Sequence, residues 1–214
     1  MVSDRAQALI QLAEHGLEGL SVPDFFHVVH EIVKSYSLAL GRHLRQAHQD
    51  LTKATEALGR HQERSQKDPA ASAATAAVAA RQAVGEQWEA VQRTYRDHLE
   101  TLSLTLHPFR IADSTPQTSD QVASRLYAEV EAIEALASRH QLPARPQAMP
   151  KVRKQIPALA ALVDFWWQGV WQDVEPFELA PRWRQWVQEY LLPLVYWEHH
   201  VTHTRCPRRK AKMV

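Results

Sequence analysis

Asparagine is missing from all 214 residues, and glycine occurs only six times. Tight β-hairpins draw on both residue types for their left-handed turn positions, so the composition excludes an all-β architecture. Cysteine is present once, as Cys206, which rules out an internal disulfide and is compatible with a reducing compartment. No run approaches the roughly twenty apolar residues of a membrane-spanning helix, and the first residues lack the charged-then-apolar order of a secretory leader. A cytoplasmic location is the expectation. A phosphate-binding glycine loop, a G-x-S-x-G elbow, a CxxC pair and an H-E-x-x-H order are all missing. The formal net charge is +1, which argues against a chain that wraps nucleic acid over its whole surface.

What is present favours helix. Apolar residues make up 45% of the chain, enough to bury a real core, and alanine, leucine, glutamine, glutamate and arginine dominate. The fold class expected is mainly α. From Asp24 to about Gln66 apolar residues fall at Val29, Val33, Tyr36, Leu40, Leu44, Ala47, Leu51, Ala54 and Leu58. After Asp68-Pro69 the rhythm resumes at Val84, Trp88, Val91, Tyr95, Leu99 and Leu102. Steps of three and four residues predict two long helices, folded back at Ser65–Pro69 into an antiparallel, coiled-coil-like hairpin over about 24–106. Each arm would be on the order of 50 to 60 Å long, with Leu51 on the inner face.

His107-Pro108 ends that hairpin. Thr118 or Ser119 can cap the next helix, predicted over about 119–140 with Val122, Leu126, Val130, Ile133 and Leu136 on one face. Further helices are predicted over about 150–174 and 181–203. Pro157 reads either as a first-turn proline or as a kink. Six of the seven tryptophans lie beyond residue 165. Their helical spacing with leucine and valine predicts a Trp-rich bundle in which they fill the space between the last two helices. Arg182 and Arg184 beside Trp183 and Trp186 are the one cluster with the cation-and-ring pattern of a base-stacking surface.

Two basic clusters are candidate DNA-binding sites: Lys151, Arg153 and Lys154, and the terminal Arg205, Arg208, Arg209, Lys210 and Lys212. Contact with phosphate through these groups would release counterions and weaken steeply with salt. His27 and His30 share a helix face, and His199, His203 and Cys206 have a spacing that can bring them together. A structural zinc site needs four ligands, and neither set supplies them. Ser3 and Asp4, ahead of a helical run, read locally as ordinary caps.

A family resemblance gives Asp4 a different role. Val2-Ser3-Asp4-Arg5-Ala6, the helix-like Gln7 to His15, and Leu20-Ser21-Val22-Pro23-Asp24-Phe25-Phe26-His27-Val28-Val29-His30 resemble, in that order, the segment around the second catalytic aspartate of bacterial DDE-type insertion-sequence transposases. The stretches Lys151–Pro157, Leu162–Trp167, Tyr196-Trp197-Glu198 and Thr204–Pro207 resemble a group of those proteins with a large helical insertion. The resemblance implies a ribonuclease-H-like α/β core of which residues 1–36 are a short remnant, a helical insertion over 37–204, and a basic tail over 205–214.

It further implies that Asp4 is a catalytic residue and a ligand for magnesium or manganese. Two such ions about 4 Å apart activate the attacking oxygen and stabilise the leaving one, and each takes only one or two carboxylates. One aspartate cannot hold both. The expectation is a truncated, transposase-derived protein, inactive alone, with DNA, a second copy of itself or other transposase subunits as partners. The alternative is a helical coiled-coil interaction module without catalytic activity.

Overall fold

A computed structural model describes residues 2–3, 22–23, 25–64, 69–143 and 145–203. Two strands of two residues each, β1 (Val2–Ser3) and β2 (Val22–Pro23), pair in parallel, with Val2 opposite Val22 and Ser3 opposite Pro23. Helices follow: α1 (Phe25–Arg64), α2 (Pro69–Thr105), α3 (Ser119–Arg139) and α4 (Ala148–Val174). A 3-10 turn (Glu175–Phe177) precedes a last helical stretch made of α5 (Pro181–Trp186), one π-helical turn (Val187–Leu191) and α6 (Leu192–His203). The chain is mainly α, as the composition predicts. The expected helix over Gln7–His15, the turn residues 65–68 and the basic tail lie outside the described residues.

The described chain forms two compact units. One draws on Met1–His27, Thr101–Glu129 and Arg153–Val214, the other on Val28–Glu100 and Val130–Val152.

In the second unit α1 and α2 run antiparallel. Ser37 Oγ donates to Tyr95 Oη at 3.2 Å, the rings of His43 and Trp88 stack 4.3 Å apart, and His48 meets Glu89 at 3.2 Å. Ser37, near the start of α1, thus meets Tyr95, while His43 and His48 further along meet the earlier Trp88 and Glu89 of α2. Burial is concentrated at Val28, Ile32, Tyr36, Ala39, Leu40 and Ala47 of α1, and at Val91 and Tyr95 of α2. Tyr36 and Tyr95 meet edge to face at 6.5 Å, an arrangement favoured by the ring quadrupoles. Burial raises the Tyr95 phenol above its ordinary range, so it stays protonated and its hydroxyl reaches the Ile32 carbonyl at 3.4 Å. Ile133, Ala137, Leu142, Ala148, Met149 and Val152 complete this core.

The expected inner face of the hairpin needs correction. Val29 and Val33 are half-buried, one position off the buried line through Val28 and Ile32. Leu51 is only half-buried, and Val84 is 39% exposed. Alanine fills much of the first half of α2, and small side chains there cannot cover a leucine of α1 across the helix pair.

In the first unit the α3 start is a capping box. The Gln121 amide donates to Thr118 Oγ1 at 3.3 Å, and the Thr118 amide donates to Gln121 Oε1 at 3.0 Å. The Asp164 carboxylate also accepts from the Ser119 amide at 3.1 Å and from the Ser119 hydroxyl, where the helix dipole favours negative charge.

Pro157 is interior to α4, which begins nine residues earlier at Ala148. A proline there removes a backbone donor to the carbonyl four residues back, that of Arg153. The Tyr127 hydroxyl of α3 reaches this carbonyl at 3.4 Å. Pro193 sits just beyond the π-helical turn, whose wider bonding, with the Leu192 amide donating to the Val187 carbonyl, makes room for a proline ring that would crowd a regular helix.

Candidate functional site

The densest chemistry among the described residues is an aromatic and histidine cluster in the first unit. Phe109, fully buried, is held on a tight loop by an antiparallel bridge to Pro116 and by the Arg110 amide donating to the Thr115 carbonyl at 2.9 Å. Its ring meets those of Trp166, Trp167 and Tyr196 edge to face at 5.3 to 5.5 Å. Trp171 stacks on Trp167 at 6.1 Å, and Trp197 lies 5.1 Å from the His107 ring.

Gln117, 3% exposed, ties this loop down. Its amide nitrogen donates to the His107 carbonyl at 2.9 Å, and its side-chain oxygen accepts from Arg125 at 2.6 Å. The Gln117 carbonyl accepts from Trp167 Nε1 at 3.1 Å. A buried amide satisfied on both ends fixes geometry in a way that apolar packing alone does not.

His107 and Tyr196 share a 2.6 Å hydrogen bond. Burial pushes the Tyr196 phenol far above its ordinary value, so the hydroxyl stays protonated and donates to His107 Nδ1. His200 packs against both rings at 4.3 and 5.0 Å. Burial, and then the neighbouring His199 and His203, hold its imidazole below the usual histidine value. Tyr196 and His200 are thus both held towards their neutral forms, which suits a packed platform.

An open cleft of about 450 Å³ in the same unit is lined by Arg110, Gln117, Asp120, Gln121, Ser124 and Arg125. Two guanidinium groups at its wall can meet an anion, although Arg110 also pairs with Asp113 at 3.6 Å and Arg125 with Gln117. Neither arginine stood out in the sequence, because Arg110 and Arg125 become neighbours only through the loop fold.

Asp4 lies outside the described residues, immediately after β1. Arg205, Arg208, Arg209, Lys210, Lys212 and Cys206 also lie outside them. Lys151 and Lys154 are exposed three residues apart on α4, and Arg153 between them is half-buried. His27 is exposed and His30 half-buried on α1, with His27 edge-on to Phe26. His199 and His203 stack at 4.1 Å, and His203 Nδ1 donates to the His199 carbonyl at 2.7 Å. Among the described residues no three His, Cys, Asp or Glu side chains come together so as to hold a metal ion.

The tryptophan expectation divides in two. Trp166, Trp167, Trp171 and Trp197 pack into the cluster, whereas Trp183 and Trp186 are 50% and 45% exposed. Arg182 sits 5.3 Å over the Trp183 ring, and Arg184 sits 5.3 Å over Trp171. No helix among the described residues is long and apolar enough to cross a membrane. No family model, no curated protein and no solved structure matches this chain.

Proposed function

We propose that this chain belongs to a DDE-type transposase-related protein, in which Asp4 is the second metal-binding aspartate and the helices that follow form an insertion behind it. The observation that supports the reading is the parallel pairing of β1 with β2 on either side of the Asp4 segment, with the histidine-bearing α1 starting directly after β2. Parallel strands need a long crossover, usually helical, and parallel sheets are normally covered on both faces. Two strands of two residues are too little for independent stability in water, which fits the edge of a larger sheet. In this reading Asp4, the next residue in sequence after β1, would lie beyond the strand's carboxyl end, where α/β sheets carry their ligands.

Magnesium or manganese, when bound, would activate a water or hydroxyl oxygen for in-line attack on a phosphodiester. Asp4 would supply one carboxylate, and the ligands that complete the site would come from segments other than the described helices. The chain is therefore not a nuclease by itself. Incubation with either ion and supercoiled DNA should give no cleavage beyond that of an Asp4→Ala control. Metal-dependent nicking that disappears in Asp4→Ala would overturn this incompetence.

Affinity for DNA, in this reading, is electrostatic and blind to sequence. It rests on the exposed Lys151 and Lys154 with Arg153, and on the Arg205 to Lys212 tail. Deleting the tail should flatten the dependence of log affinity on log salt by about 0.9 for each phosphate that the tail neutralises. A second reading, a helical interaction module, is favoured by the bare apolar side of the last helical stretch.

A further inference from the structure

The stretch Pro181–His203 is apolar on two sides. Pro193 and Trp197 are buried, and Tyr196 and His200 pack on His107. Elsewhere on the same stretch Trp183, Trp186, Tyr190, Leu191, Leu194 and Val195 are 50%, 45%, 63%, 38%, 67% and 52% exposed. Their steps of three, four, one, three and one residues follow a helical stripe, and the wider π-helical turn keeps Tyr190 and Leu191 in line with Trp183 and Trp186. A second apolar stripe beside the packed side is more than a single buried face requires and calls for a covering surface.

The size of the stripe points the same way. Half-exposed aromatic rings offer on the order of 100 Å² each, so with the aliphatic residues the stripe reaches on the order of 600 Å², the top of the range that a monomer leaves bare. A standard interface takes roughly 800 Å² from each partner, and flanking polar residues can supply the difference.

We propose that this stripe is the self-association surface of the protein, with two copies packing their Pro181–His203 stretches antiparallel about a two-fold axis at Tyr190. Charge placement selects the occupant and the direction. Arg182 and Arg184 lie at the start of the stretch and Glu198 near its end. Rotation about Tyr190 sets Arg182 opposite Glu198 of the partner subunit and Trp186 opposite Leu194 of the partner subunit. A parallel pairing would set arginine against arginine. The contact is isologous and closes at two copies, and a formal net charge of +1 opposes it little. Leu191, Leu194 and Val195 give nothing for a base to stack on, and no arginine accompanies Tyr190, so the cation-and-ring pattern of a nucleic-acid surface is confined to the Arg182–Trp186 end.

Sedimentation velocity across micromolar concentrations tests the proposal. The expected result is a dimer that becomes monomeric in Trp186→Glu and in Leu194→Glu, with the helical circular dichroism unchanged because both side chains are exposed. Arg182→Glu should weaken the dimer by about tenfold through like-charge contact, and adding Glu198→Arg should recover it. Tyr190→Cys in a Cys206→Ser background should form a disulfide-linked dimer on oxidation, since a residue on the axis meets its own copy within disulfide reach. A monomer throughout, a dimer indifferent to both glutamate substitutions, or no cross-link at Tyr190 would overturn the proposal. So would a single-stranded oligonucleotide that quenches the Trp183 and Trp186 fluorescence of a monomer.

Discussion

The two halves of α1 carry the same three-and-four rhythm of apolar residues, yet they have different surroundings. Residues 28–47 bury Val28, Ile32, Tyr36, Ala39, Leu40 and Ala47, while residues 48–61 contain no buried residue. The opposing parts of α2 explain the contrast. Val91 and Tyr95 face the first half, and Trp88 there also meets the His140 ring at 5.7 Å. The alanine-rich start of α2 offers the second half few large side chains. Periodicity fixes which residues share a face, and the volume available across from that face decides whether it leaves water. The last helical stretch extends the lesson, since its buried and bare sides are both apolar.

Substitutions can break or sharpen this contrast, beginning with the largest expected effect. Phe109→Ala removes a ring packed against Trp166, Trp167 and Tyr196 and should cost about 3–5 kcal/mol in denaturant unfolding. A loss below about 1 kcal/mol would mean that the aromatic cluster is not a packed core.

Leu51→Ala, by contrast, acts on a half-buried side chain and should cost about 1–2 kcal/mol, below the range for fully buried leucines. A loss as large as that of Phe109→Ala would erase the distinction between the halves. Gly59→Ala places a methyl where nothing lies within 4 Å and should raise stability by about 0.5–1 kcal/mol through helix propensity. A loss of stability would reveal a close neighbour in that region.

The smallest effect is a pH dependence. Burial holds His200 below its ordinary value of 6.5, so the unfolded chain takes up this proton first as pH falls. Stability attributable to His200 is thus complete above about 6.5 and declines as pH drops below it towards the folded-state value. The melting temperature should fall on acidification, and His200→Gln should reduce that dependence. An unchanged slope in the variant would assign the effect to other groups.

Much of the fold was legible in local sequence. The Thr118–Gln121 capping box marks the start of α3, the steps from Val122 to Ile133 mark its buried face, and a glycine-poor, asparagine-free composition marks the class. Pairings across sequence distance were not legible. Nothing near Gln117 signals that it ties His107, Arg125 and Trp167 together, and nothing near Tyr127 signals that it reaches the carbonyl exposed by Pro157. Helical spacing alone predicts all six late tryptophans to be packed, and only the arginines beside Trp183 and Trp186 mark in the sequence the pair that the fold leaves bare. For the candidate site, Lys151 and Lys154 are exposed on α4, and the resemblance that marks Asp4 rests on the order of motifs alone.

The role of Asp4 is the central claim, and metal exchange at that position tests it most directly. The chain would be expressed within its genomic reading frame, and DNA strand cleavage would be measured in magnesium and in manganese. Cysteine is a poor ligand for magnesium and a better one for softer ions, so Asp4→Cys should abolish cleavage in magnesium and recover part of it in manganese. Cleavage in magnesium that survives Asp4→Cys undiminished would contradict the assignment.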